Sequence, residues 1–205
     1  MASIPDKVYG IVQKLTVSVT RVRKTFIPHS DRTRMAAAAT PEKQLEAGMK
    51  AMEEGDFKKA YSLYKKLVVE FPDNAECWFY KAECGNYASG MFGAKADIDD
   101  IVEAYKKAIE LDPERADYLQ AYGLFCISIQ KYDEAEKAYC EAAEIDESIS
   151  SSLYSEFAIE YFNNVMAQYA DIMEDPKARA PYAKKALQYM LKALDLDAEE
   201  AKQLL

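Results

Sequence analysis

From residue 41 onward the apolar residues fall on helical stripes, and the stripes repeat. Phe57, Ala60, Tyr64 and Leu67 recur at gaps of three and four, which lines one face of a helix. The same spacing returns at Tyr132, Ala135, Tyr139 and Ala142, and again at Ile98, Ile101, Tyr105 and Ala108. Residues 41–74 lie over residues 116–149 without a gap, which sets Gly48 on Gly123 and Ala51 on Cys126. A self-similar unit of about 34 residues is the signature of stacked helix pairs. Such a stack presents an extended surface for another polypeptide and builds no catalytic pocket of its own.

The pattern predicts a first hairpin with helices over 41–54 and 57–70, joined at Gly55 and Asp56. Thr40 is placed to cap its first helix and Pro41 suits the first turn. A second hairpin starts near Ala75, with Trp78 and Ala82 standing where the first has Gln44 and Gly48. Its offset from the first grows from 34 to 41, so seven extra residues sit around 90–96, read as an irregular loop. The third hairpin, 116–149, turns at Gln130 and Lys131. A degenerate fourth begins with Leu153, Phe157, Ile159 and Tyr161, runs to about Met173 and breaks at 174–177. Its last helix spans roughly 178–196, aligned through Ala186, Met190 and Ala193. End repeats are expected to be atypical because they cap the core.

These residues resemble the tetratricopeptide repeat family. The family places a small residue in the first helix, here Gly48, Ala82 and Gly123, and a pattern of aromatic and small residues in the second, then a proline, here Pro72 and Pro113. The likeness is close over 41–149 and loose over 150–197. It implies an all-α, right-handed solenoid of about four hairpins, with repeats at about 41–74, 75–115, 116–149 and 150–197 inside a domain of 41–205. In the family the first helices line a concave face. The partner-binding positions that follow are Leu45, Met49 and Met52, then Phe79, Glu83 and Asn86, then Gln120, Leu124 and Ile127, then Tyr154 and Tyr161. Some members grip a C-terminal carboxylate with a Lys, Asn and Arg clamp. Here Leu45, Met49, Tyr80, Asp117 and Ala121 stand in those places, and none of them neutralises a carboxylate.

Ahead of the repeats stands an arm, residues 1–40. Val8, Val12, Leu15, Val19, Val22 and Phe26 form a helical stripe that needs a face to dock on, although the β-branched run at 15–19 leaves a strand open. Residues 27–34 read as an extended linker. The arm carries seven cations (Lys7, Lys14, Arg21, Arg23, Lys24, Arg32, Arg34) against Asp6 and Asp31, a net of +5. The chain as a whole carries −9, so residues 41–205 carry −14. The arm therefore suits docking on an acidic body, its own or a neighbour's, as in a homodimer or a hetero-complex. Being Arg-bearing and hydroxyl-rich, it also has the character of an organelle-targeting segment.

Charge and composition exclude several classes. A net negative chain lacks the basic footprint of a nucleic-acid binder. No apolar run approaches the roughly 20 residues of a membrane span. The four cysteines, Cys77, Cys84, Cys126 and Cys140, show no CxxC spacing and the chain has one histidine, His29. A zinc site is not expected, and buried free thiols point to a reducing, intracellular compartment, cytoplasm or organelle matrix or stroma. The acids at 97–100 lack the glycine and distant glutamate of a calcium loop and read as a helix start. No phosphate loop, dinucleotide fingerprint or nucleophile elbow is present, so neither a cofactor nor a catalytic residue is expected. The reading is a non-enzymatic scaffold or adaptor, an accessory subunit of a larger assembly that binds a partner helix or extended peptide. The alternative is a chaperone for a hydrophobic or basic client.

Overall fold

The helical periodicity of the sequence is realised in a computed structural model that describes residues 42–92, 96–169 and 174–197. The arm, with Val8 through Phe26, lies outside the described residues, as do Thr40 and Pro41. The chain divides into two compact units, one ending at Phe125 and the other running on from Cys126.

In the first unit, α1 (Glu42–Glu53), α2 (Phe57–Glu70), α3 (Ala75–Phe92), α4 (Ile98–Leu111) and α5 (Ala116–Ser128, whose last turn belongs to the second unit) follow in order. Packing runs from α1 to α2, α2 to α3 and α3 to α4. The second unit holds α6 (Tyr132–Ile145), a 3₁₀ turn at Glu147–Ile149, α7 (Ser150–Gln168) and α8 (Pro176–Ala193), with α7 packed on both α6 and α8.

Two turns share one construction. Gly55 adopts φ 76°, donates to Met52 O at 3.0 Å, and is followed by Asp56 N donating to Ala51 O at 2.8 Å. Gln130 adopts φ 63°, donates to Ile127 O at 3.0 Å, and is followed by Lys131 N donating to Cys126 O at 2.8 Å. Both are the paired bonds that satisfy the last carbonyls of a helix through one left-handed residue. Asp56 then starts α2, its carboxylate accepting from Lys59 N at 3.1 Å. The repeat alignment finds the second turn even though glutamine replaces the usual glycine.

The core is built from the stripe residues. Ala60, Tyr64, Ile101, Tyr105, Ala135 and Tyr139 are each sealed from solvent. Gly48 shows why the first helix needs a small residue. A Cβ placed there would stand 2.7–2.9 Å from the Tyr64 ring and hydroxyl, inside van der Waals contact. Asn74, buried between the first two hairpins, caps α3 by accepting from Cys77 N at 3.0 Å.

Three boundaries differ from expectation. The extra residues of the second hairpin begin as helix, not loop. α3 continues to Phe92, past the equivalent of the end of the first hairpin's first helix, where Ala88 is buried and the Tyr87 ring stacks on Phe57 at 4.9 Å. The fourth hairpin's first helix is capped at Tyr169, short of Met173. Its last helix starts at Pro176, where Asp175 accepts from Lys177 N at 2.9 Å. The acids at 97–100 form a helix start, with Asp97 accepting from Asp99 N at 3.1 Å.

Gly48→Ala should lower the melting temperature. The gain in helix propensity, about 1 kcal/mol, is outweighed by forcing a methyl against a ring with no room to move, about 1–3 kcal/mol. Ala60→Leu and Ala135→Leu should each destabilise by about 1–3 kcal/mol in chemical denaturation, and unchanged midpoints for both would show the register to be wrong. Tyr64→Phe should do the opposite. The Tyr64 hydroxyl is buried with no hydrogen-bond partner among the described residues. Its removal should stabilise the protein by about 1 kcal/mol in the same measurement.

Candidate functional site

The first helices of the hairpins carry the candidate face; α1 is amphipathic like the second helices, and the later ones differ from them in character. α2, α4 and α6 are amphipathic, with one buried stripe and a polar back. α3, α5 and α7 are apolar round most of their circumference. A helix of that kind needs cover on more than one side.

In the first unit the predicted positions group as follows. Leu45 and Met52 are half-buried on the core formed by Ala51, Tyr64, Leu67, Cys77 and Cys84. Met49, at 38% exposure, reaches solvent. Phe79 is half-buried, stacks on Tyr118 at 4.3 Å, and meets Tyr105 edge-on at 6.3 Å. Glu83 and Asn86 follow it on α3, and Gln120 and Leu124 stand on α5, all half-buried. Ile127, in the last turn of α5 and so part of the second unit, packs inside at 2% exposure. In the second unit Tyr154 is half-buried beside Tyr189, with ring centres 5.9 Å apart. Tyr161, at 4% exposure, is a core wall, edge-on to Tyr132 at 5.1 Å. A partner can reach Ile127 and Tyr161 only through the residues around them.

Carboxylates set into these aromatic walls were not legible in the sequence. Asp100 accepts from the Tyr61 hydroxyl at 2.7 Å and from Lys81 at 2.7 Å. Burial alone would raise its pKa, but the hydrogen bonds from Lys81 and Tyr61 and the lysine charge hold it below the usual range. Glu136 accepts from Lys185 at 2.6 Å and from Tyr189 at 2.6 Å. There too burial is overcome by Lys185 and Tyr189, and the pKa is lowered. Glu83 accepts from the Tyr105 hydroxyl. Burial raises its pKa and the Tyr105 bond only partly opposes the shift. The repeat spacing sets Tyr61 and Asp100 39 positions apart and Tyr189 and Glu136 53 apart, so a single-repeat pattern links neither pair.

The thiols have a packing role. Cys77 and Cys84 are sealed, and burial pushes both up to about 12, so they stay protonated at neutral pH. Cys126 is buried and Cys140 half-buried, and none of the four is in a disulfide. Among the described residues no three His, Cys, Asp or Glu side chains gather to hold a metal ion, and no helix is long and apolar enough to cross a membrane. Chemically, the surface offers apolar and aromatic contacts with carboxylates at their base.

No family model matches the chain, and no curated protein does. Solved structures do. The crystal structure of MamA is 20% identical, with 98% of this chain and 99% of that chain covered and a TM-score of 0.57. A second MamA structure, MSR-1 C2, is 16% identical over 92% and 95%, at a TM-score of 0.51. A tetratricopeptide repeat protein from Parabacteroides merdae is 16% identical over 98% and 95%, at 0.46. At these identities the likeness concerns the fold. With the gap-free internal repeat and the helical hairpins, it establishes that the chain has the all-α tetratricopeptide-type repeat fold.

Proposed function

We propose that this chain is a non-enzymatic protein-binding scaffold or adaptor, an accessory subunit of a larger assembly, which holds a partner helix or extended peptide on the face of its first helices. The observation that carries this reading is that Leu45, Met52, Phe79 and Leu124 are half-buried and Met49 exposed on the first helices, of which α3 and α5 are apolar on more than one side. Partly covered apolar groups of this kind are completed by a partner. Lysine and arginine groups on the partner would suit the −14 carried by residues 41–205.

The basic arm is a second docking element in this reading. Its stripe of Val8, Val12, Leu15, Val19, Val22 and Phe26 would seat on an acidic body, its own or a neighbouring subunit's. A lone helix of that length is marginal in water and gains its order from what it packs on.

Affinity capture of the natural partner tests the reading directly. Met49→Lys combined with Leu124→Glu should leave circular dichroism and melting within error of wild type and weaken partner retention at least about tenfold, equivalent to about 1.4 kcal/mol. Undiminished retention would rule out this face. Deleting residues 1–34 should leave the helical signal of the repeats intact but release the protein from its complex or dimer in size-exclusion chromatography at physiological salt. A truncated protein that keeps its partners and its size would make the arm dispensable for assembly.

A further inference from the structure

Two carboxylates in this fold are set in the same way, and a third is set in that way with one part missing. Asp100 receives a tyrosine hydroxyl, Tyr61, and a lysine, Lys81, whose ammonium stands 5.0 Å from the centre of the Trp78 ring. Glu136 receives Tyr189 and Lys185, and that ammonium stands 5.8 Å from the centre of the Tyr161 ring. Each is a carboxylate, a phenol, an ammonium and an aromatic face. In each, the cation supplies the charge that a desolvated carboxylate needs.

Glu83 has the phenol and the aromatic faces. Tyr105 donates to it, and Phe79 sits one turn before it on α3, edge-on to Tyr105 at 6.3 Å. The Tyr105 ring is itself backed by Tyr122 at 5.8 Å and Phe125 at 5.5 Å. What Glu83 lacks is the ammonium. Among the described residues no lysine or arginine pairs with it, and its one hydrogen-bond donor is Tyr105. The residue is half-buried, so part of its side chain stays open to solvent.

We infer that Glu83 is a cation-accepting subsite of the binding face, completed by a lysine or arginine side chain of a partner polypeptide that lies against the half-buried Phe79 ring. This rests on the scaffold reading and adds the chemistry of one anchor: a basic side chain flanked by apolar ones. The direction of the titration shifts agrees, since the two carboxylates that hold a lysine are lowered and Glu83 is raised. The Phe79 ring contributes as well, because a cation held against a ring out of water gains from the ring's negative face.

The test uses the full chain, with n-butylguanidinium chloride as probe, and follows glutamate carboxyl carbons and tyrosine rings by NMR. Glu83 and Tyr105 should shift saturably in the millimolar range, while n-butanol and sodium chloride at matched ionic strength should leave them unmoved. Glu83→Gln, nearly the same shape, should keep the fold by circular dichroism and weaken the response at Tyr105 at least about tenfold. A wild-type protein with no saturable shift overturns the inference, including the case in which the chain's own basic arm fills the place. So does an equal response to butanol, or one unchanged in Glu83→Gln. The two readings fail separately. A natural partner retained equally by wild type and Glu83→Gln overturns the subsite and leaves the scaffold standing. Saturation by butylguanidinium with no polypeptide partner captured does the reverse.

Discussion

The spacing of the first hairpin depends on a tyrosine ring laid where a side chain is missing. Tyr64 fills the room that Gly48 leaves, and no atom can be added at that crossing without moving the ring. The same economy runs along the chain, with sealed alanines at 60, 104 and 135 letting helices approach and sealed tyrosines at 64, 105 and 139 filling the gaps beside them. Close-packed crossings of this kind fix helix positions tightly. The surfaces of the first helices inherit that fixed geometry, which is what a docking face requires.

The fold was legible because its determinants are periodic. A stripe at gaps of three and four survives the change from Ala60 to Ile101, since both are buried and both sit on the same side of their helix. The turn at Gln130 was found through its alignment with Gly55, a signal that residue type alone would have hidden. The site was legible only in outline. Repeat register marks which helix face is in question, and it placed Met49, Phe79 and Leu124 on partly open surface. Depth is another matter. Ile127 and Tyr161 satisfy the same register and are buried, because whether a position is floor or rim depends on which neighbour covers it. The added turn of α3 escaped notice because it falls among the residues that the second hairpin has in excess of the first, where the repeat alignment has no counterpart.

In the proposed scaffold, the polar and apolar parts of the face would divide the labour of binding. Apolar groups such as Leu45, Met49 and Leu124 offer area with little directional demand. Glu83, with Tyr105 holding one of its oxygens, is directional and would reward one kind of side chain in one place. A surface built that way would gain strength from the first and selectivity from the second.

The acid and phenol sets also bear on how a repetitive chain avoids folding out of order. Near-identical hairpins can trade places, and apolar stripes alone would tolerate the exchange. Tyr61 of one hairpin reaches Asp100 of the next, and Lys185 and Tyr189 of the last reach back to Glu136 of the one before. These contacts work as matched keys. A hairpin seated beside the wrong neighbour, or swapped with one from a second molecule in the wrong order, would strand a carboxylate without its donor. Asp100 and Glu136 are each about a third exposed, so losing the donors costs about 1 kcal/mol rather than the penalty of a fully buried charge. Each junction that carries such a pair therefore favours its native neighbour over a mismatched one.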